Sequence, residues 1–198
     1  MRRLLIATTN PGKLVEFREL LGDLPVELVL PERDLRVAET GSSYAENAAL
    51  KARAYAAAGG LLTLADDSGL EVDALGGAPG LHSARYSPLP GASDADRRAH
   101  LLANLRGQPR PWTAHFHCTV ALALPGGQVQ FAEGQVYGEI LPEERGSNGF
   151  GYDPLFLLPE LGRTMAELTR EEKNTLSHRA RALLAALPAI RKLLGLAE

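Results

Sequence analysis

The 198-residue sequence has a single cysteine and no long apolar run. One cysteine, Cys118, excludes an intrachain disulfide and fits a reducing compartment. The apolar run near the N-terminus covers only residues 4–7, which is too short for the core of a signal peptide. No stretch approaches the ~20 apolar residues that a membrane-spanning helix needs. The sequence therefore predicts a soluble, cytoplasmic protein.

The sequence also lacks an excess of positive charge. Its net charge of −3 and its pI near 6.0 argue against the large basic surface of a protein that binds a nucleic-acid polymer. A small anion could still bind, because a few lysine or arginine side chains are enough for it. A composition that is 45% apolar and 23% charged is typical of a folded chain and not of a disordered one. Without any repeat or linker, we expect one domain over residues 1–198.

Helical and extended patterns alternate in the first half of the chain. The apolar runs 3–8, 26–30 and 61–65 predict buried strands. Asn10 as N-cap with Pro11 at the first helical position predicts a helix between the first two runs. A second helix is predicted over 42–60.

Capping patterns support two of the predicted helices. Ser43 with Glu46, and Ser93 with Asp96, have the spacing of capping boxes, which places the second of these helices over 93–106.

The second half of the chain begins with two alternating segments. Residues 112–124 and 128–141 flank a Pro-Gly-Gly turn and predict a long β-hairpin. From Arg170 onward the pattern is helical, with a break expected at Ser177. This order of elements predicts an α/β fold with a mixed sheet flanked by helices.

The segment "TTNPGK" (8–13) lies where a predicted strand turns into a predicted helix. Amides at a helix start and the positive end of the helix dipole favour an anion. Lys13 adds a full charge, and Thr8, Thr9 and Asn10 add short polar groups. The Walker A spacing is missing. The alternative is an ordinary capped helix with a solvated lysine.

The segment "ADDSGL" (65–70) places two carboxylates at the end of a predicted strand. Carboxyl ends of strands line the ligand crevice in open α/β sheets. Neighbours in extended backbone point opposite ways, so at most one of Asp66 and Asp67 faces a given ligand. A carboxylate there suits Mg²⁺, and Glu39 is a candidate second ligand. The alternative is a turn with solvated acids.

The segment "GSNGFGYDPLF" (146–156) combines glycines, aromatic rings and a carboxylate. Gly149 and Gly151 allow close approach of a flat ligand, Phe150 offers a stacking face, and Asp153 could accept from ring N–H groups. These features predict a nucleobase pocket. The alternative is a glycine-rich turn with aromatic side chains in the core.

The segment "LTREEKNTLSHRARAL" (168–183) gathers cationic groups near the expected helix break. Lys173 is suited to a phosphate, and His178 and Arg179 can donate to the carbonyls of a base. The alternative is the solvated face of a terminal helix.

Other polar residues carry weaker signals. His115 and His117 share a strand face, as an H-x-H metal pair would, but without a third ligand nearby the favoured interpretation is an ordinary strand. Cys118 has no basic neighbour beyond His117 and is expected to be buried, so it is not expected to be a nucleophile. Helix position alone predicts that Lys51 faces solvent.

Taken together, five groups of residues resemble one family, the house-cleaning inosine/xanthosine triphosphate pyrophosphatases, which hydrolyse (d)ITP and XTP. The groups are "TTNPGK", Glu39 with "ENAALKA", "LADDSGLEVDALGGAPGLHSARYS", "FGYDPLF" and "LTREEKNTLSHRARAL". They occur in order from Thr8 to about residue 184, nearly the whole chain.

The resemblance implies Mg²⁺-dependent cleavage between the α- and β-phosphates, which gives a nucleoside monophosphate and pyrophosphate. Such an activity removes deaminated purine nucleotides before they enter DNA or RNA. The resemblance further implies a homodimer and an elongated mixed α/β fold, with two lobes and a central cleft.

Residue roles follow from the same resemblance. It implies that Asp67 is a metal-associated general base and that Glu39 is a metal ligand. The residues that it assigns to the substrate are Thr8, Thr9, Asn10, Pro11, Gly12, Lys13, Lys51, Ser68, Phe150, Gly151, Tyr152, Asp153, Lys173, His178 and Arg179.

Two alternatives remain at this stage. Septum-formation-related nucleotide pyrophosphatases have a similar architecture, but "SHR" and "FGYD" have no ready counterpart there. A non-catalytic nucleotide sensor would not need Asp67 and Glu39. In each case the expected partner is a small nucleotide, and neither a nucleic-acid polymer nor a membrane is expected.

Overall fold

The computed structural model describes residues 2–196 as an α/β protein. The strands are β1 (Arg2–Ile6), β2 (Val26–Val29), β3 (Thr63–Val72), β4 (Trp112–Ala123), β5 (Val129–Ile140), β6 (Phe156–Leu158) and β7 (Arg163–Thr164). The α-helices are α1 (Pro11–Leu20), α2 (Tyr44–Gly59), α3 (Asp94–Leu105), α4 (Arg170–Leu176) and α5 (His178–Leu194). Short 3₁₀ helices cover Asp73–Leu75, Gly80–Arg85 and Met165–Glu167.

The strands form one mixed sheet in the order β2-β1-β3-β4-β5-β6-β7. β1 pairs in parallel with β2 and β3, whereas β6 pairs antiparallel with β5 and β7. β4 and β5 are neighbours joined by a tight turn, in which the Leu124 amide donates to the Gln128 carbonyl at 3.0 Å. The predicted mixed α/β sheet and the predicted hairpin are both confirmed.

The described chain divides into two compact units. The first comprises residues 2–67, 118–134 and 178–196, and the second comprises residues 68–117 and 135–177. β3, β4 and β5 each contribute residues to both units, so no linker separates them. One domain over residues 1–198 stays a prediction.

In the first unit, strand β1 is buried on both faces. Leu4 and Ile6 join a cluster with Phe17 of α1 and Ile190 of α5. Leu5 and Ala7 join a second cluster that contains alanines of α2. Because successive side chains of a strand point to opposite faces, helices cover both sides of β1, as is usual for parallel strands.

In the second unit, one face of each long strand contributes to a single core. Leu70 of β3, Phe116 of β4 and Val136 of β5 pack with Leu101 of α3. The ring centroid of Phe116 lies 4.6 Å from that of Phe156. The residues that alternate with these core positions lie on the opposite face of the sheet.

Local capping patterns were reliable, with one difference. Asn10 caps α1, Ser93 and Asp96 form a full capping box on α3, and the helix break falls at Ser177. Ser43 caps α2 as predicted, but the prediction of a reciprocal box there was wrong. The Glu46 carboxylate instead accepts from the amide of Ser42 at 2.6 Å, one residue earlier.

The predicted end of the third strand was also wrong. β3 runs through both aspartates and ends at Val72, and the carboxylates do not lie in a solvated turn. Asp66 and Asp67 can remain inside a buried strand because cations and an amide from other elements bind their carboxylates. Within residues 2–196, no helix combines the length and the apolar character that crossing a membrane requires.

Candidate functional site

The loop between β1 and α1 is held by its own side chains. Asn10 Oδ1 accepts from the amides of Gly12 at 2.9 Å and Lys13 at 3.2 Å, and Thr8 Oγ1 accepts from the Asn10 amide at 3.2 Å. Thr9 lies exposed in the loop, and Pro11 lies exposed at the first residue of α1. Two amides at this helix start are therefore already engaged by the cap, so Lys13 is the stronger candidate for an anion contact.

Asp66 is a buried carboxylate surrounded by cations. Its Oδ2 lies 2.9 Å from Lys13 Nζ and 3.3 Å from both Nε and Nη2 of Arg179, and the Cys118 thiol donates to it at 3.8 Å. Burial alone would raise the pKa of Asp66, but Lys13, Arg179 and Lys51 outweigh it and hold this pKa well below the usual range. Asp66 therefore stays ionised and is unsuited to accept a proton.

Arg179 belongs to the same buried network. Its side chain is 1% exposed, and its guanidinium binds both Asp66 and Glu16. Burial disfavours the charged form, but the two carboxylates outweigh it and raise the pKa of Arg179. The direct contact with a base that the resemblance implies for Arg179 stays a prediction, and in the structure its guanidinium faces these two carboxylates.

Asp67 has a different environment from its neighbour. Its Oδ2 accepts from Asn47 Nδ2 at 3.1 Å, and its Oδ1 lies 3.8 Å from Lys51 Nζ. Burial raises the pKa of Asp67, Lys51 and Lys13 oppose that rise, and nearby Glu39 adds to it. Of the two aspartates, Asp67 is the one whose raised pKa makes its carboxylate the better proton acceptor.

Lys51 connects the predicted metal ligands. Its ammonium lies 2.7 Å from Glu39 Oε1 and 3.8 Å from Asp67 Oδ1, and only 16% of its side chain is exposed. Burial opposes the charge, but Asp66, Asp67 and Glu39 together raise the pKa of Lys51. The expectation from helix position alone, that Lys51 faces solvent, was wrong.

Asn47 fixes the orientation of Asp67 and was not identified from the sequence. Its Oδ1 accepts from the Gly41 amide at 2.8 Å, which turns its NH₂ group toward Asp67. The segment that carries Glu39 is thereby tied to β3. The sequence could have identified Asn47, because Asn47 and Lys51 are four residues apart on α2 and share a helix face.

The glycine-rich segment of the second unit is organised by Asp153. Asp153 is 3% exposed, and its Oδ2 accepts from Lys173 Nζ at 2.6 Å and from the Phe150 amide at 3.0 Å. Lys173 Nζ lies 4.9 Å from the centroid of the half-buried Phe150 ring. Phe150, Asp153 and Lys173 are therefore brought together as a cation, a carboxylate and a ring.

Gly149 is required by this arrangement. Its φ of +76° lies in the left-handed region, and a Cβ there would be 2.1 Å from Asp153 Oδ2.

The Gly151 amide donates to Asp94 at 2.7 Å, and Arg98 donates to the Gly151 carbonyl at 2.8 Å. Asp94 and Arg98 of α3 were not identified, since in the sequence they resemble an ordinary first helical turn.

The remaining predicted site residues lie in a turn, a strand and a helix. Tyr152 is buried and its hydroxyl donates to the Ser83 carbonyl at 2.9 Å. Ser68 is half-buried in β3, and His178 is buried at the first residue of α5.

These features define a mixed α/β protein in which two carboxylates and a lysine meet beside a buried strand. The model of the Ham1 family matches residues 4–189. The chain belongs to the Ham1 family.

Similar proteins span nearly the full length of the chain. A dITP/XTP pyrophosphatase of Listeria monocytogenes is 48% identical over 188 residues, which are 92% of this chain and 92% of the relative. The dITP/XTP pyrophosphatase of Geobacillus kaustophilus is 50% identical over 188 residues, covering 92% of this chain and 91% of its own. Both are similar proteins with which this chain aligns throughout.

Solved structures agree with the fold. A HAM1 protein from Coxiella burnetii has a TM-score of 0.87 at 41% identity, with 97% of this chain and 100% of that chain covered. A nucleoside-triphosphatase, dITP/XTP pyrophosphatase, from Mycobacterium abscessus has a TM-score of 0.73 at 46% identity, covering 96% of this chain and 100% of its own.

Proposed function

We propose that this protein hydrolyses nonstandard purine nucleoside triphosphates (ITP, dITP and XTP) to the nucleoside monophosphate and pyrophosphate. One observation carries the proposal: Lys51 lies between Glu39 and Asp67, while two other cations, Lys13 and Arg179, bind neighbouring Asp66. The similar proteins named dITP/XTP pyrophosphatase support this substrate class.

The donor set fits a hard divalent cation such as Mg²⁺. One oxygen of Glu39 and one of Asp67 lie 2.7 and 3.8 Å from the same ammonium, so two carboxylates already converge on one positive centre. Carboxylate oxygens are the ligands that Mg²⁺ prefers. We propose Glu39 and Asp67 as its ligands. When bound, the ion would offset phosphate charge and polarise a phosphoryl oxygen.

Asp67 is proposed as the general base. Asn47 donates to Oδ2, and we propose that Oδ1 accepts a proton from an attacking water. The raised pKa of Asp67 favours this uptake, whereas the low pKa of Asp66 excludes Asp66 from the same role. The two adjacent carboxylates therefore have separate tasks.

Lys13 and Lys51 are proposed as triphosphate contacts. An ammonium has three donors, so each lysine keeps further donors beside its carboxylate partner. Their positive charges would offset the repulsion between a triphosphate and these carboxylates. The residues of the loop and of the first turn of α1 that are proposed to assist are Thr8, Thr9, Asn10, Pro11 and Gly12.

Contacts with the purine are proposed for the second unit. Phe150 has a half-buried ring for stacking, and Lys173 lies over that ring. Asp153 holds the turn in place through the Phe150 amide, which presents Gly151 and Tyr152 to a base. Ser68, His178 and Arg179 are further proposed substrate contacts.

The proposal is tested by incubating the protein with ITP, XTP or dITP and Mg²⁺ and assaying pyrophosphate. We expect release with all three nucleotides and loss of release when a chelator removes the metal. Turnover that is unchanged by the chelator would contradict the metal assignment, and the absence of turnover with all three would contradict the substrate class.

We also propose a cytoplasmic homodimer, which the family resemblance supports. Light scattering on the purified protein should give twice the chain mass of 21.2 kDa. The mass of a single chain would contradict this assignment without affecting the proposed activity.

A further inference from the structure

A group of potential metal ligands lies in the second unit, on residues that the proposed hydrolysis does not use. One ligand atom from each of Glu71, His115 and His117 lies within 4.8 Å of the other two. His115 and His117 alternate with core residues on β4, and Glu71 lies on the neighbouring strand β3. The three side chains therefore share the sheet face opposite the core of this unit.

The spacing of these atoms suits a transition-metal ion. Ligand atoms at about 2.0–2.1 Å from a tetrahedral zinc ion lie about 3.4 Å apart. His115 Nε2 lies 3.6 Å from Glu71 Oε2, which is close to that value. All three side chains are half-buried, so an ion could be reached from solvent and would still be partly shielded from it.

Residues of β5 support both rings. The Tyr137 ring stacks on His115 with centroids 5.2 Å apart, and the Gln135 amide lies 3.1 Å from His117 Nδ1. The Tyr137 hydroxyl also bonds to Gln135 at 2.7 Å. In the structure the Gln135 NH₂ group faces His117 Nδ1. A rotation of this amide by 180° would let its oxygen accept from Nδ1–H, which makes Nε2 of His117 the ligand atom, and the NH₂ group would then donate to the Tyr137 hydroxyl. Such outer-shell hydrogen bonds are typical of metal-binding histidines.

We propose that Glu71, His115 and His117 bind a divalent transition-metal ion of the zinc type. Two imidazoles and one carboxylate suit Zn²⁺ or Co²⁺, whereas Mg²⁺ prefers a set made of oxygens alone. Three protein ligands leave a fourth position for water or another small ligand. The site uses neither Glu39 nor Asp67, so it is independent of the proposed Mg²⁺ ligands.

Calorimetric titration of the whole protein with ZnCl₂, in excess Mg²⁺, tests this site. We expect one Zn²⁺ per chain, and Co²⁺ should give the intense visible absorption of a tetrahedral site. His115→Gln and His117→Gln should each weaken Zn²⁺ binding by at least ~100-fold, and Gln135→Leu by the ~10–100-fold typical of an outer-shell partner.

Two control variants separate this site from other zinc binding. His82→Gln changes an exposed histidine elsewhere in the second unit, and Asp67→Asn changes a proposed Mg²⁺ ligand. Both should bind Zn²⁺ as the unmodified protein does. Circular dichroism checks the fold of each variant, and the isosteric Glu71→Gln provides a third ligand test if a histidine variant fails to fold.

Three results would overturn the proposal. They are no Zn²⁺ uptake by the unmodified protein, an unchanged isotherm in the folded ligand variants, and loss of Zn²⁺ binding in Asp67→Asn.

Discussion

Asp66 and Asp67 are consecutive residues of β3, and their surroundings move the pKa values of their carboxylates in opposite directions. Lys13 and Arg179 bind Asp66, whereas Asp67 receives one amide hydrogen bond and lies 3.8 Å from Lys51. Successive side chains of a strand point to opposite faces of the sheet, so the two carboxylates contact different partners. Asp66 therefore binds buried cations, and Asp67 is the aspartate that we propose as the general base.

The substitution Asp67→Asn should lower turnover of ITP by at least the ~10²–10⁴-fold typical of losing a general base. The change keeps the size of the side chain but removes the proton acceptor. Nucleotide binding should persist in part, because Lys13, Lys51 and the base contacts remain. Pyrophosphate assays and calorimetric binding measure the two effects separately. Near-normal turnover in this variant would assign the base to another carboxylate, with Glu39 the first candidate.

The substitution Asp66→Asn should act mainly on stability. It leaves the buried guanidinium of Arg179 with Glu16 as its remaining carboxylate partner, so we expect the free energy of unfolding to fall by roughly 3–5 kcal/mol. The matched control is Asp23→Asn, an exposed position in the same unit, where the change should stay within about 0.5 kcal/mol. Urea unfolding measures both. Equal stability of the two variants would show that the Asp66 network does not hold the fold.

The substitution Gly149→Ala should disturb the turn that carries Phe150. The added Cβ meets Asp153 Oδ2 at 2.1 Å, so Asp153 must move and weaken its contacts with Lys173 and the Phe150 amide. We expect a loss of stability and a higher KM for ITP.

The control for Gly149→Ala is Gly162→Ala. Gly162 also has a positive φ, but an added Cβ there meets nothing within 4 Å, so it costs only the left-handed penalty of about 1–2 kcal/mol. Unfolding curves of the two variants isolate the contact with Asp153. If both lose the same stability and keep the KM of the unmodified protein, Gly149 has no special role.

The preference among purines should follow hydrogen-bond matching. Hypoxanthine and xanthine have a carbonyl at position 6 and an N–H at position 1, and adenine has neither. An enzyme that binds its substrate through such hydrogen bonds can have a kcat/KM ~10⁴–10⁵-fold lower for an analogue that cannot form them. Guanine differs from hypoxanthine only by its 2-amino group, so the loss of transition-state binding for GTP relative to ITP should be roughly 1–3 kcal/mol.

The resulting order of kcat/KM is ITP ≈ XTP > GTP > ATP. Arg179→Ala should flatten this order as well as lower all four values, provided that the variant remains folded. Hydrolysis of ATP as fast as ITP would remove His178 and Arg179 from the proposed base contacts.

Local patterns in the sequence predicted much of the fold. The start of α1 at Pro11 depends on Asn10 and two amides within three residues, so a short segment contains all the information. The capping box of α3 is equally local. The hairpin of β4 and β5 follows from alternation on both sides of a tight turn.

Contacts between distant segments account for what the sequence could not predict. β3 continues through Asp66 because Arg179, 113 residues later, lies beside it. Similarly, the two histidines of β4 lacked a third ligand until the sheet order placed Glu71 on the adjacent strand. Lys51 was placed on its helix correctly, but its burial depends on Glu39 and β3.

The position of bond cleavage tests the central claim most directly. Phosphorus NMR of ITP incubated with the protein and Mg²⁺ distinguishes cleavage between the α- and β-phosphates from release of the terminal phosphate. The proposed mechanism predicts that IMP and pyrophosphate accumulate in equal amounts, with neither IDP nor stoichiometric orthophosphate at any time. The appearance of IDP followed by IMP, with successive release of orthophosphate, would contradict it.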